Sequence, residues 1–536
     1  MVSPVDVSEG QAASARYGGR SVALAVLCTV LFLTFLDNTI VSIVLGNVQS
    51  QLHAGVSSLQ WIVGAYALTF AGAMLAFGMV GDEFGRKRVM IIGVAIFCAG
   101  SVLAAVAPSP GLLIAGRAVM GFGAAASEPG TLSMIRHIYT DERSRTRALG
   151  VWTAVSGLAL ALGPVIGGAL VGIWDWRAIF WFNLVFGLLA LIGVVLVLPE
   201  NSDPNAHRVD VAGTLLGAAA ITALAFAVIT AENSGFGAPA VIAFLCVCLA
   251  AIVAFFWWQH KAAYPLLDLR FLRVPRFFTS ILVAFCAYFA TFALFFFTAL
   301  FLVEVVGDSG YRIALLFLPM TVLMVLASLL AGRWSTAAGP RWSIFIGCLL
   351  FGAGLLLTSI TISPSPSYLA LGASLSLAGV GIGATVVPIT NSALTAVPAE
   401  RSGMAASAAN TSREIGAVTG VAVLGALVSS QLHADLVSRM TALAVPKIYQ
   451  SIVITAIETG AVPANSAKSS AGAGFNSKEV QEVINAAYSA FQTGLHAALY
   501  LSAALVLVAG VFSFVWLGQR QQRGAVHTAA QANPPG

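Results

Sequence analysis

Apolar runs separated by short polar turns repeat along the whole chain, near residues 22–45, 58–80, 88–107, 111–135, 147–171, 178–198, 209–231, 238–258, 277–303, 311–332, 342–362, 367–392, 402–430 and 492–517. Each approaches or exceeds the roughly 20 residues a helix needs to cross bilayer hydrocarbon. A backbone there must pair its own N–H and C=O groups, which an apolar run does by forming a helix. The pattern predicts an all-α integral membrane protein of about 14 transmembrane helices. One connection is anomalous: 431–491 is a polar segment of roughly 60 residues, beyond ordinary loop length. Within it, "KEVQEVINAAYSAFQTGLHAALYL" has helical periodicity that runs into the last span. Amphipathic helices over the outer mouth and a passive connector are both open for this loop.

Composition supports that class: 58% of residues are hydrophobic and 9% charged, where a soluble chain carries nearer a quarter charged. The net charge of +5 requires no nucleic acid, because loop arginines account for it. One set of alternate loops and tails holds about 19 Lys and Arg, including Arg86, Lys87, Arg88, Arg143, Arg145, Arg147, Arg270, Arg273 and Arg276. The opposite short loops hold about two, Arg177 and Arg312. This asymmetry places both tails, 1–20 and 518–536, in the cytoplasm. The apolar run after Arg16 and Arg20 is too long for a signal peptide, and no small-residue cleavage site follows it. All six cysteines fall inside apolar runs, against loop disulfides. Cys246 and Cys248, two apart, diverge on a helix, so no metal site is expected.

The chain also repeats itself. "GMVGDEFGRKR" from Gly78 and "GRWSTAAGPRW" from Gly332 align Gly78, Asp82, Gly85 and Arg86 with Gly332, Thr336, Gly339 and Pro340. "APSP" from Ala107 recurs as "SPSP" from Ser363, "GFGA" from Gly121 as "GIGA" from Gly381, and "DERS" from Asp141 as "AERS" from Ala399. Four matches in one order define a six-helix bundle (21–200), two inserted helices (201–260) and a second six-helix bundle (261–517, with the 431–491 loop). Two homologous bundles with pseudo-two-fold symmetry around a central site are the repeat logic of secondary transporters.

Charges inside spans carry the chemistry. An ionised side chain at the bilayer centre costs about 2.5–3.5 kcal/mol on insertion scales, so it marks function by default. The candidates are Asp37, Arg117, Glu128, Arg413 and Glu414. Thr34, Asp37, Asn38, Val41 and Ser42 share one sector of the first helix. Asp37 and Arg117 fall at similar depth and are within reach of pairing. Glu128, on the same face of the fourth span, lies roughly 16 Å deeper, too far to pair with Arg117. Asn410, Arg413 and Glu414 mark the counterpart face of the second bundle. Desolvation favours the protonated carboxyl and a neighbouring arginine the ionised one, so a carboxylate moved between such surroundings binds and releases a proton. Asp37 and Glu128 are the rival carriers, and a static Asp37–Arg117 pair is the structural alternative. Phe292 and Phe296 are candidates to line a substrate pocket.

With these motifs the chain resembles the major facilitator superfamily, and more narrowly its fourteen-span drug:proton antiporter family, over essentially its whole length. The loop motif G-x-L-a-D-R-x-G-R-[KR] stands as "GMVGDEFGRKR", matching Gly78, Asp82, Gly85, Arg86 and Arg88, with Glu83 where arginine is usual. The fourth-span motif stands as "RAVMGFGAA", with Met120 replacing glutamine. The antiporter motif of the fifth span runs Gly150, Ala159 (for glycine), Gly163, Pro164, Gly167 and Gly168. "LDNTIVSIVLG" follows the first-span pattern, with Ser42 and Gly46 for asparagine and proline, and Glu414 stands where glutamine is commoner.

The resemblance implies drug:proton antiport across the cytoplasmic membrane, powered by the proton gradient without a cofactor. Its substrates would be small hydrophobic or cationic molecules, its partners protons and lipid, and its state monomeric. It also implies a cytoplasmic latch at the loop motif, with partners near Ser402, where the alternative is arginines that only set topology. The fifth-span glycines suit a flexible seam between the halves or, alternatively, ordinary small-residue packing. A proton-coupled uptake symporter and an exporter of one endogenous metabolite are the alternatives. An enzyme is disfavoured, since no G-x-S-x-G or H-E-x-x-H occurs, and an ATP-driven pump likewise, since no "GK" occurs.

Overall fold

The computed structural model describes residues 4–200, 210–235, 237–263, 265–397, 402–442 and 477–532. It is helical, with no strand among the described residues. The first bundle comprises α1 (Pro4–Ile40), the short α2 (Leu45–Leu52), α3 (Val56–Phe84), α4 (Arg86–Ala105), α5 (Pro110–Ile138), α6 (Glu142–Ile173) and α7 (Ala178–Val197). Next come α8 (Val211–Ser234), α9 (Pro239–Lys261) and the short α10 (Leu269–Leu272). The second bundle comprises α11 (Pro275–Phe301), α12 (Gly310–Ala338), α13 (Pro340–Thr361), α14 (Tyr368–Thr395), α15 (Ser402–Ala442) and α16 (Ser477–Ala532). Eleven helices are long and apolar enough to cross a membrane among the described residues. The face carrying the Arg86–Arg88 turn is called inner, following the loop charges, and the opposite face outer.

Three elements depart from the hydrophobic pattern. The first span is broken: a 3-10 turn at Val41–Ile43 separates α1 from α2. The tails are not simple extensions, since α1 begins at Pro4 and α16 runs on to Ala532, with no proline to stop it before Pro534. The long outer loop is partly helical, because α15 reaches Ala442 and α16 starts at Ser477. Its middle, 443–476, lies outside the described residues.

Packing follows the repeat. In the first bundle α4 packs on α5, α3 on α5, α1 on α6, α4 on α7 and α1 on α7. The counterparts α13 on α14, α12 on α14, α11 on α15, α13 on α16 and α11 on α16 all occur in the second. Across the middle, α3 meets α15 and α12 meets α6, each the mirror of the other under the repeat.

The helix ends carry the same symmetry. Gly85 and Gly339 turn the chain at φ +104° and +82°, a region where a side chain is strained. Two residues after each glycine a cation caps the final helix of its own bundle. Lys87 Nζ donates to Val195 O at 2.8 Å, and Arg341 Nε donates to Phe514 O at 2.9 Å. At the outer end, Arg177 donates to Ala107 O at 3.2 Å and Gln492 to Ile362 O at 3.0 Å. The inserted pair breaks the symmetry: α8 lies against both α3 and α15, and α9 packs on α8.

Candidate functional site

The buried charges form two clusters at the centre of the bundles. In the first, Asp37 of α1 and Arg117 of α5 form an ion pair with side chains essentially inaccessible to water (0% and 1% exposed). Asn183 of α7 donates to the other Asp37 oxygen at 2.6 Å. Arg117 Nε donates to Ile62 O at 3.0 Å, and its guanidinium lies 4.4 Å from the centre of the Tyr66 ring. Tyr66 in turn donates to Thr34 O at 2.9 Å. Every partner of Asp37 and Arg117 here belongs to the first bundle. Sequence reasoning missed Asn183 and Tyr66; the signal for Asn183 was a lone amide in the run "IFWFNLVFG".

The second cluster joins the bundles. Asn410 of α15 donates to Glu128 Oε1 at 2.8 Å, and Asn38 of α1 donates to Glu414 Oε1 at 3.2 Å. The exchange is reciprocal: each bundle supplies a carboxylate and an amide. Glu128 Oε2 and Glu414 Oε2 are buried with no hydrogen-bond partner among the described residues. Pro129, next to Glu128, cannot donate a backbone hydrogen bond, which loosens α5 beside the carboxylate. Arg413 donates to Thr390 Oγ1 at 3.3 Å and lies 5.5 Å from the Tyr288 ring and 6.0 Å from the Phe35 ring. The structure thus brings together Asn38, Glu128, Asn410, Arg413 and Glu414.

Phe292 and Phe296 do not line an open pocket: both are fully buried in the hydrophobic core. Their helix, α11, packs against the Val41–Ile43 turn.

The fifth-span glycines are also relocated. A Cβ at Gly163 would collide with Thr39 Oγ1 and lie 2.9 Å from Ile40 N; at Gly167 it would lie 2.9 Å from Ile40 O. Their seam is therefore α6 against α1, inside one bundle, rather than between the halves. They seat α6 on the stretch just after Asp37 and Asn38, where α1 ends. Among the described residues, nothing lies within 4 Å of a Cβ at Gly150. Gly168 is buried, and the side chain of Pro164 lies outside the described residues. Gly163→Ala is expected to cost about 1–3 kcal/mol, as overpacking does, and Gly150→Ala to lower stability not at all. Thermal unfolding of the two variants checks the contrast.

At the loop motif, Gly78, Gly85, Arg86 and Arg88 gather at the inner turn between α3 and α4. The contacts shown run to Glu200, just past the end of α7. Lys87 N donates to Glu200 Oε1 at 3.2 Å, and Arg88 Nε lies 3.5 Å from Glu200 Oε2. The Arg88–Glu200 pair is solvent-exposed and adds little stability. These contacts brace the turn within its own bundle. The side chains of Asp82 and Ser402, on which the expected inter-bundle latch depends, lie outside the described residues.

The model of the Major Facilitator Superfamily matches residues 27–421. The chain belongs to this superfamily. It is 33% identical over 406 residues to the multidrug resistance protein Stp of Mycobacterium tuberculosis, covering 76% of this chain and 75% of that protein. It is 30% identical to the multidrug efflux pump LfrA of Mycolicibacterium smegmatis, covering 94% and 97%. The puromycin resistance protein pur8 of Streptomyces alboniger is 35% identical over 75% of this chain and 80% of its own length. Among solved structures, a bacterial homologue of the lysosomal transporter Spinster, inward-facing and unoccupied, superposes with a TM-score of 0.64. At 18% identity over 93% of this chain and 97% of that one, this likeness shows the fold alone. The protein is a multi-pass membrane transporter of this superfamily, related to multidrug efflux pumps.

Proposed function

We propose that the protein exports small hydrophobic or cationic molecules, drugs among them, across the cytoplasmic membrane in exchange for protons. Both termini are inside, and access alternates by rocking of the two bundles. The names of the relatives support export of antibiotics. The observation that carries the coupling is the Glu128–Asn410 bond. A proton carrier must change surroundings as the bundles move. Glu128 does so, because its partner sits on the opposite bundle and separates from it on rocking. Asp37 is held by Arg117 and Asn183, which move with it.

In this cycle a proton entering from outside neutralises Glu128 and favours outward release of substrate. Return to the inward-facing state delivers the proton to the cytoplasm. Asp37 and Arg117 hold α1, α5 and α7 together as the frame. Glu414, held by Asn38, contributes the second carboxylate of the cluster.

Everted membrane vesicles containing the protein, given ethidium outside, test the reading. An acid lumen one pH unit below the bath is expected to drive about tenfold accumulation per proton exchanged, and dissipating the gradient to abolish it. Accumulation driven by an alkaline lumen would instead establish uptake symport.

A further inference from the structure

One buried side chain has no place in the cycle described so far. Gln60, in the first turns of α3, is fully buried, and neither its Nε2 nor its Oε1 has a protein hydrogen-bond partner among the described residues. It lies where the outer part of α3 meets α15: a Cβ added at Gly425 of α15 would collide with its Nε2, so a larger residue there would have to displace the amide. The neighbouring Trp61 is covered from the inserted helices. Its ring sits 4.5 Å from that of Phe226 of α8, and it packs with Val228 of α8 and Ala422 and Ala426 of α15. So α8 seals this seam from the side, and closing the seam strands an amide away from water. A buried, unpaired polar group carries its full desolvation cost, in contrast to one that is hydrogen-bonded.

We propose that the Gln60–Gly425 contact, sealed by α8, is an outer gate, and that the stranded Gln60 amide is the element that lets it reopen. Closing the gate removes the amide from water without compensation, and opening returns it. The closed outer seam is thereby held close in free energy to the open one, as a transporter needs in order to turn over. This inference rests on the reading that the bundles rock, and is independent of the cargo and of which carboxylate carries the proton.

Hydrogen–deuterium exchange of the full chain in nanodiscs tests it without transport, so a failure of proton coupling in vesicles leaves the result unaffected. The segments read are 57–66 of α3 and 418–428 of α15. Gln60→Met keeps the side-chain length but removes the amide, and is expected to slow exchange of both segments about tenfold, leaving α13 unchanged. Gly425→Ala, whose Cβ needs the space of the amide, is expected to speed exchange of the same two segments several-fold. Unchanged or faster exchange in Gln60→Met overturns the proposal, as does wild-type protection in Gly425→Ala.

Discussion

Asp37→Asn is expected to deplete folded protein from the membrane rather than to uncouple a working transporter. The substitution keeps the shape of the side chain but leaves the Arg117 guanidinium, 1% exposed, without a countercharge. Breaking a buried pair by removing one partner costs about 3–5 kcal/mol, because the remaining charge stays buried. That is a large share of a typical folding free energy of about 5–15 kcal/mol. The Ile62 carbonyl and the Tyr66 ring still hold Arg117, but neither supplies a full negative charge. Replacing both members, Asp37→Asn with Arg117→Met, is expected to restore much of the lost stability, since no uncompensated charge then stays buried and Asn183 can still donate to the carbonyl oxygen of the introduced amide. Thermal unfolding of the single and double variants in detergent gives the comparison. A single variant as stable as wild type but unable to use the gradient would assign the proton to Asp37 instead.

Glu128→Gln is expected to do the opposite: the protein folds and its coupling is lost. Glutamine keeps the Oε1 acceptor that Asn410 uses, so the cross-bundle bond survives. What disappears is a group that can lose and regain a proton. In everted vesicles with an acid lumen, accumulation of ethidium should fall from about tenfold per pH unit to mere equilibration. Downhill movement of ethidium should continue, because the bundles can still rock. Unchanged gradient-driven accumulation would remove Glu128 from the coupling step.

Much of this architecture is legible in the chain. Run length gives the class, and the repeat from Gly78 to Gly332 anticipates the matched helix pairs. The Asp37–Arg117 pair was within reach of helix geometry, because both residues fall at similar depth. The cross-bundle bonds were not, since they join residues 282 and 376 positions apart and depend on how two bundles dock. Spacing on one helix says which residues share its face, but not which helix covers that face. For this reason the seam of Gly163 and Gly167 was assigned between the bundles when it lies on Thr39 and Ile40. The sequence likewise left the surroundings of Phe292 and Phe296 open, because aromatic side chains suit a core and a pocket equally until the neighbour is known; both are buried here. The break at Val41–Ile43 has no glycine or proline within it to announce it.

The central claim is that Glu128, and not Asp37, binds the transported proton. Infrared difference spectroscopy between acid and alkaline conditions observes the protonated carboxyl directly, through its carbonyl stretch. Wild type should show titrating carboxyl components from Glu128 and Glu414; the Glu128 component should be lost in Glu128→Gln, and both should persist in the Asp37→Asn, Arg117→Met double variant. A band that survives in Glu128→Gln and vanishes in the double variant would contradict the account.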